Sequence, residues 1–196
     1  FLNVRYRNSD GTLETTVQLT NTAEDAFNGA TEENENRVIF LEDGTAAVTW
    51  WENDGTNPST IFTSSMPSKN VWTAPFALSN SGQNATLSKI SRGNGGDYSV
   101  IWQRADGLNT RIQTRAYHAD TNNWSAISTL SNSGSDALWG DIAYDGDNQF
   151  SAVWTRKSGL YLPEVKQLSS KPFITKTTIT TNNAAVCVPA PPNANL

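Results

Sequence analysis

The sequence predicts an all-β chain assembled from repeated antiparallel units of four strands, and three observations predict it. The first is self-similarity at a fixed spacing. Set back by 52 positions, the stretch from Gly96 onward places identical residues on Gly44, Val48, Trp50, Asp54, Gly55, Asn57, Asn70, Trp72, Ala74, Leu78, Ser79, Asn80, Ser81, Gly82, Ala85 and Ile90. That is 16 identities over 48 positions, residues 44–91 on 96–143, without a gap. A third copy follows, in which Trp102 falls on Trp154, Arg104 on Arg156, Gly107 on Gly159 and Leu108 on Leu160. The second observation is the recurrence of Asp-Gly between short apolar runs, at Asp10, Asp43, Asp54, Asp106 and Asp145, which is a strong hairpin signal. The third is composition. Charged residues make up 17% and apolar ones 37% of 196 residues, with 7 Trp and 13 Gly, which suits a turn-rich β domain and argues against disorder. A repeat near 50 residues that holds four strands points to propeller blades, stacked so that each buries its neighbour's face.

Taken in order, Leu2 to Arg7 alternates with Val4 and Tyr6 on one side and Arg5 and Arg7 on the other, as a half-exposed strand does. Asp10-Gly11 turns it, and Leu13 to Leu19 returns as a second strand. Thr20-Asn21-Thr22-Ala23 echoes the Ser-Asn-Ser-Gly that ends later units, so the chain is expected to open halfway through a repeat. Residues 28–36 then crowd Glu32, Glu33 and Glu35 into an insertion, read as a solvated loop because like charges repel.

The first full unit has strands at Val38–Leu41, Ala46–Trp51, Ser59–Ser65 and Trp72–Leu78, with Pro58, Pro67 and Pro75 at turns and outer edges. The second repeats it at Thr86–Ser91, Asp97–Arg104, Thr110–Tyr117 and Trp124–Leu130. Its third strand, Arg111 to Tyr117, alternates polar and apolar residues and is expected to show its long polar side chains to solvent or a ligand. The third unit offers Ile142–Tyr144, Gln149–Thr155, Tyr161–Leu168 and Phe173–Thr180, with Lys176 where the other copies have Trp72 and Trp124. The expectation is one propeller-type domain over 1–188, incomplete within this chain: a half unit 1–27, the acidic insertion 28–36, units 37–85, 86–137 and 138–183, and a stub 184–188. Residues 189–196 carry Pro189, Pro191 and Pro192 and read as a tail or linker. A ring of this kind closes by pairing its first and last blades. The chain is therefore expected to need further blades, from the same polypeptide or another chain, with a closed four-bladed monomer as the competing possibility.

A net charge of −5 and no run of more than two basic residues exclude a nucleic-acid partner. No apolar stretch nears the ~20 residues of a membrane span. One cysteine, Cys187, excludes an internal disulfide, and one histidine, His118, excludes a site with two imidazoles. His118 sits in a turn-like Tyr117-His118-Ala119-Asp120, a poor place for the base of a nucleophilic triad. No cofactor is expected. Calcium is the one weak candidate, either at the acidic insertion with Glu32, Glu33 and Glu35, whose alternative reading is calcium or a cationic partner, or at Asp145-Gly146-Asp147-Asn148, which lacks the later bidentate Glu of an EF-hand loop.

Residues shared by all copies, above all Trp50, Trp102 and Trp154, answer the packing needs of every unit. Residues peculiar to one copy are better ligand candidates, namely Trp51, which corresponds to Gln103, and Trp139, which corresponds to Leu87. Trp72 and Trp124 open outer strands and are either packing residues or a ligand platform. An indole stacks on the C–H face of a sugar ring while its N–H reaches a hydroxyl. Arg104, Arg111, Arg115 and Arg156 have the forked donors that hold a carboxylate or sulfate.

The recurring string of strand, Asp-Gly turn, Val-x-Trp, Asp-Gly turn, strand, Trp and Leu-Ser-Asn-Ser-Gly resembles the repeats of secreted bacterial propellers, a loose group that includes lectin-like and sialidase-like proteins. It is not the sialidase Asp-box Ser-x-Asp-x-Gly-x-x-Trp, because Ser79-Asn80-Ser81-Gly82 and Ser131-Asn132-Ser133-Gly134 have another spacing and no following Trp. The resemblance implies an extracellular or cell-surface location. The expected function is a non-enzymatic binding module for carbohydrate or a protein surface partner. The alternatives are a polysaccharide-degrading hydrolase or lyase whose site is completed by other chain segments, and an interaction propeller with no small ligand.

Overall fold

Among the described residues every regular element is a β-strand. A computed structural model of the chain describes residues 2–20, 37–53, 58–146, 149–169 and 178–179. The expected acidic insertion, the stub with Cys187 and the Pro-rich tail lie outside them.

Strands β1 (Asn3–Val4) and β2 (Val17–Gln18) form an antiparallel hairpin, closed by the Asp10-Gly11 turn that the sequence marks. In that turn the Asp10 carboxylate accepts the Thr12 amide at 2.9 Å, and Gly11 takes φ +88°. Sheet I then follows as β3 (Arg37–Phe40), β4 (Ala46–Glu52), β5 (Thr60–Met66) and β6 (Phe76–Ala77), paired in chain order. Sheet II contains β7 (Ala85–Arg92), β8 (Tyr98–Ala105), β9 (Thr110–His118), β10 (Asn123–Trp124) and β11 (Ser128–Thr129). Both β10 and β11 pair with β9, so they are two pieces of one interrupted outer strand. Sheet III orders β12 (Asp136–Tyr144), β13 (Gln149–Ser158), β14 (Leu160–Ser169) and β15 (Thr178–Ile179) the same way. The outer strands of sheets I and II are shorter than the sequence suggests. In sheet I the proline at 75, which has no N–H to give a ladder, immediately precedes β6.

The sheets stack face to face in chain order. Leu2 and Leu19 of the hairpin pack on Val48 and Trp50, which point from one face of sheet I. Ala47 and Ile61 on its other face meet Tyr98, Val100 and Trp102 of sheet II. The opposite face of sheet II, with Ile101, Ile112 and Leu130, meets Ala137, Phe150, Ala152 and Trp154 of sheet III. Adjacent residues of β8 thus enter different cores, which is why the strand is buried at six successive positions. The same geometry corrects the expectation for β9. Its middle residues Ile112, Gln113 and Thr114 are all buried, because a neighbouring sheet covers each face.

Two joints repeat. The register of β7 on β8 shifts between Thr86 and Lys89, and that of β12 on β13 between Leu138 and Asp141, each time 52 residues apart. At the shift Leu87 takes φ +51° and Trp139 φ +54°, a left-handed conformation that bulky residues rarely adopt. The next residue, Ser88 or Gly140, points into the preceding sheet. Gly140 is tight: a Cβ there would sit 3.1 Å from Ile101 Cδ1 and 3.2 Å from Ile112 Cδ1.

The sequence repeat conceals a slip. Trp50 lies opposite Phe62, but Trp102 lies opposite Gln113 and Trp154 opposite Glu164, so each successive hairpin is one residue shorter. In space Ile61 and Thr63 therefore match Ile112 and Thr114. Thr63 Oγ1 donates to the Val48 carbonyl as Thr114 Oγ1 does to Val100, each at 2.9 Å. The gapless alignment balances a longer loop before β5 against a shorter turn after it.

Candidate functional site

The repeated tryptophans are packing residues whose polar edge is satisfied inside the fold. Trp50 Nε1 donates to Glu52 Oε1 at 2.7 Å, Trp102 Nε1 to Gln113 Oε1 at 3.2 Å, and Trp154 Nε1 to Glu164 Oε2 at 2.7 Å. None is more than 5% exposed. The Leu-Ser-Asn-Ser-Gly string also has a structural job. Its first serine hydroxyl accepts the backbone amide of the third strand, Ser79 from Ile61 at 2.9 Å and Ser131 from Ile112 at 3.0 Å.

The eight candidate ligand residues separate. Trp51 is half-buried in the joint between sheets I and II. Trp72 packs on the hairpin cluster, and its buried Nε1 has no hydrogen-bond partner among the described residues. Arg111 ties the Asp106 turn down, with Nη1 3.3 Å from Asp106 Oδ2 and Nη2 donating to the Ser131 carbonyl. Arg156 pairs with Glu164 at 3.5 Å, the carboxylate that also takes the Trp154 indole. Arg104 is half-buried at the equivalent position of sheet II. Trp139 is 53% exposed and leans on Tyr161 with ring centroids 5.5 Å apart, and it is not among the residues that line the cleft between sheets I and II.

Trp124 and Arg115 come together. They line a cleft of about 460 Å³ between the outer parts of sheets I and II, a volume in the roughly 300–1,000 Å³ span of small-ligand sites. Sheet I and the turn before β6 supply Thr63, Ser64, Ser65, Thr73 and Phe76, with the Thr63 and Ser64 hydroxyls donated to the Val48 and Thr73 carbonyls, and sheet II supplies Tyr98, Tyr117, Asn122 and Asn123. Phe76 lies flat on Trp124, with centroids 5.9 Å apart and planes within 7°. Tyr98 meets Trp124 edge-on at 5.3 Å and stacks on Tyr117 at 4.8 Å. The Arg115 guanidinium carbon stands 5.3 Å from the Phe76 ring and 5.9 Å from that of Trp124. Its Nε donates to the Ser125 carbonyl at 2.8 Å. The turn after β9 completes the wall: Asn122 takes φ +50°, and its Oδ1 accepts the Tyr117 hydroxyl at 2.6 Å.

Burial sets the electrostatics. It lowers the pKa of Arg115 and pushes the Tyr98 phenol well above its ordinary value, and it raises Tyr117 with help from the Asp97 charge. Both phenols are neutral donors at neutral pH. Asp97 itself accepts the Ala119 amide at 2.8 Å and faces His118 Nδ1 at 3.9 Å. No carboxylate is among the residues that line the cleft, so the paired acids of glycoside hydrolysis have no support there.

Of the residues lining this cleft, sequence reasoning singled out Trp124 and Arg115 and not Phe76, Tyr98 and Tyr117. A signal was available, since Tyr98 and Phe76 occupy places held by Ala46 and Ser128 in the neighbouring copy. Among the described residues no group of three or more His, Cys, Asp or Glu side chains is placed to hold a metal. Of the weak calcium string, Asp145 Oδ2 accepts Gln167 Nε2 at 3.0 Å, and Asp147 and Asn148 lie outside the described residues. Among the described residues no helix is long and apolar enough to cross a membrane. No protein-family model matches the chain, and a search of curated proteins found no match.

Proposed function

We propose that the chain is an extracellular, non-enzymatic carbohydrate-binding module with propeller-type architecture, and that its ligand occupies the cleft between sheets I and II. The observation that carries this reading is the cleft's lining. A platform of Phe76 on Trp124 offers an apolar face to sugar C–H groups, and polar residues including Ser65, Thr73 and Asn123 line the same cleft. Phe76 is 43% exposed, so its outer side is open to a ligand.

The propeller reading is supported by three antiparallel sheets stacked in chain order, with the same bulge at both described joints. The partner we propose for the outer face of sheet III is one more sheet of this kind. The pairs Thr49–Thr63 and Ile101–Thr114 lie at the position where sheets I and II receive the next layer, and they are 0–6% exposed. Their counterparts in sheet III, Val153 and Val165, are each 42% exposed. A bare apolar face at a repeated joint calls for the same kind of cover.

A glycan array followed by tryptophan-fluorescence titration tests the carbohydrate reading. Wild-type chain is expected to bind and to change its emission, and Phe76→Ala is expected to lose about tenfold or more in affinity, ~1–2 kcal/mol of stacking. Wild-type chain that binds no glycan and shows no spectral change would remove it.

A further inference from the structure

We infer that the cleft selects anionic sugars, and that Arg115 is the residue that reads the carboxylate or sulfate. This rests on the carbohydrate reading above and narrows it to a ligand class. Arg115 rises from β9 into the cleft with its guanidinium beside two aromatic rings. It has no carboxylate partner among the described residues, unlike Arg111 and Arg156, which are held by Asp106 and Glu164.

Of its five N–H donors only Nε is hydrogen-bonded among the described residues, to the Ser125 carbonyl. That bond fixes the plane of the guanidinium. The two terminal nitrogens keep their hydrogens unmatched by any described protein acceptor, and they form the fork that suits a planar carboxylate or a sulfate. Burial already disfavours the charge, as its lowered pKa reflects. A partly buried cation without a counter-charge is costly, and an anionic ligand removes that cost where a neutral one does not. The cleft lining has no Asp or Glu to repel it, even though the whole chain carries a net charge of −5. The rings beside Arg115 supply the stacking surface, so one ligand with a pyranose ring and an acidic substituent satisfies both features.

Titration calorimetry with a disaccharide containing glucuronic acid, and with its glucose counterpart, tests the inference. Wild-type chain is expected to bind the acidic disaccharide about tenfold tighter than the neutral one, as suits a charge-assisted pair. Arg115→Gln is expected to abolish that preference, with the acidic sugar losing about tenfold more affinity than the neutral one, and Arg115→Lys to restore part of it. Phe76→Ala is expected to weaken both sugars alike. Equal affinity of wild-type chain for the two sugars, or a preference that survives in Arg115→Gln, would overturn the role of Arg115 and leave the carbohydrate reading standing. Failure of the wild-type chain to bind either sugar would overturn both.

Discussion

Replacing Gly140 by serine tests how sheet III docks on sheet II. Gly140 is buried at the bulge of β12, and a Cβ there would meet Ile101 Cδ1 at 3.1 Å and Ile112 Cδ1 at 3.2 Å. Its φ is not in the left-handed region, so the cost of a side chain is one of space. Overpacking of this kind costs about 1–3 kcal/mol. For a chain of this length each kcal/mol moves the melting temperature by roughly 2–4 °C. The joint between sheets I and II shows the remedy. There Ser88 stands in place of Gly140 and Thr49 in place of Ile101, and their hydroxyls lie 3.3 Å apart. Ile101→Thr alone should also destabilise, because it removes buried methyl volume and leaves a hydroxyl to satisfy, at about 1–3 kcal/mol. The double variant Ile101→Thr/Gly140→Ser reproduces the other joint and should be more stable than the sum of the singles by about 0.5–3 kcal/mol. Urea denaturation followed by tryptophan fluorescence measures all four corners of the cycle. A neutral Gly140→Ser, or strict additivity of the two changes, would refute the face-to-face packing of these sheets.

Trp102→Phe strands the buried Gln113 Oε1 and should cost about 1–3 kcal/mol, most of it recovered by Gln113→Leu; thermal melts check both. The Asp106 carboxyl is held below its ordinary 3.8 by the Asn109 and Leu108 amides and by Arg111. The folded chain therefore favours the charged form, and that stabilisation is full above 3.8 and lost as pH falls through the folded value. Asp106→Asn should flatten the loss of stability with acid below pH 3.8, and an unchanged slope would contradict this reading. The sheet-on-sheet proposal for Val153 and Val165 predicts association through that face. Sedimentation should show species above the 21.4 kDa chain mass, and a compact, stable monomer would contradict it.

Much of the fold was legible because turns and period-two strands are local. Asp10-Gly11, Asp43-Gly44 and Asp106-Gly107 turn where the residues say, each carboxylate bonding an amide two residues on. The three aligned tryptophans announced a common packing role, which their buried, satisfied indoles bear out. The register slip was not legible. No identity falls between Pro58 and Lys69 in the repeat alignment, and the two loop-length changes cancel by residue 72. Nor could β9 alone reveal that both its faces are covered, since that depends on sheets contributed by residues 37–77 and 136–179. The cleft stayed hidden for a related reason. Phe76 and Trp124 lie in equivalent outer strands of adjacent units, 48 residues apart, and only stacking of the sheets lays one ring on the other.

The most direct test of the proposed site is a ¹H–¹⁵N correlation spectrum of the wild-type chain titrated with the glucuronic acid disaccharide. Binding in the cleft should shift the Trp124 indole signal and the amides of Ser65, Thr73, Arg115, Tyr117 and Asn122 to Trp124. The indoles of Trp50, Trp102 and Trp154, locked on their own acceptors, should stay in place. Shifts confined to Trp139 and its neighbour Tyr161, or a spectrum unchanged at high sugar concentration, would contradict the assignment of the site.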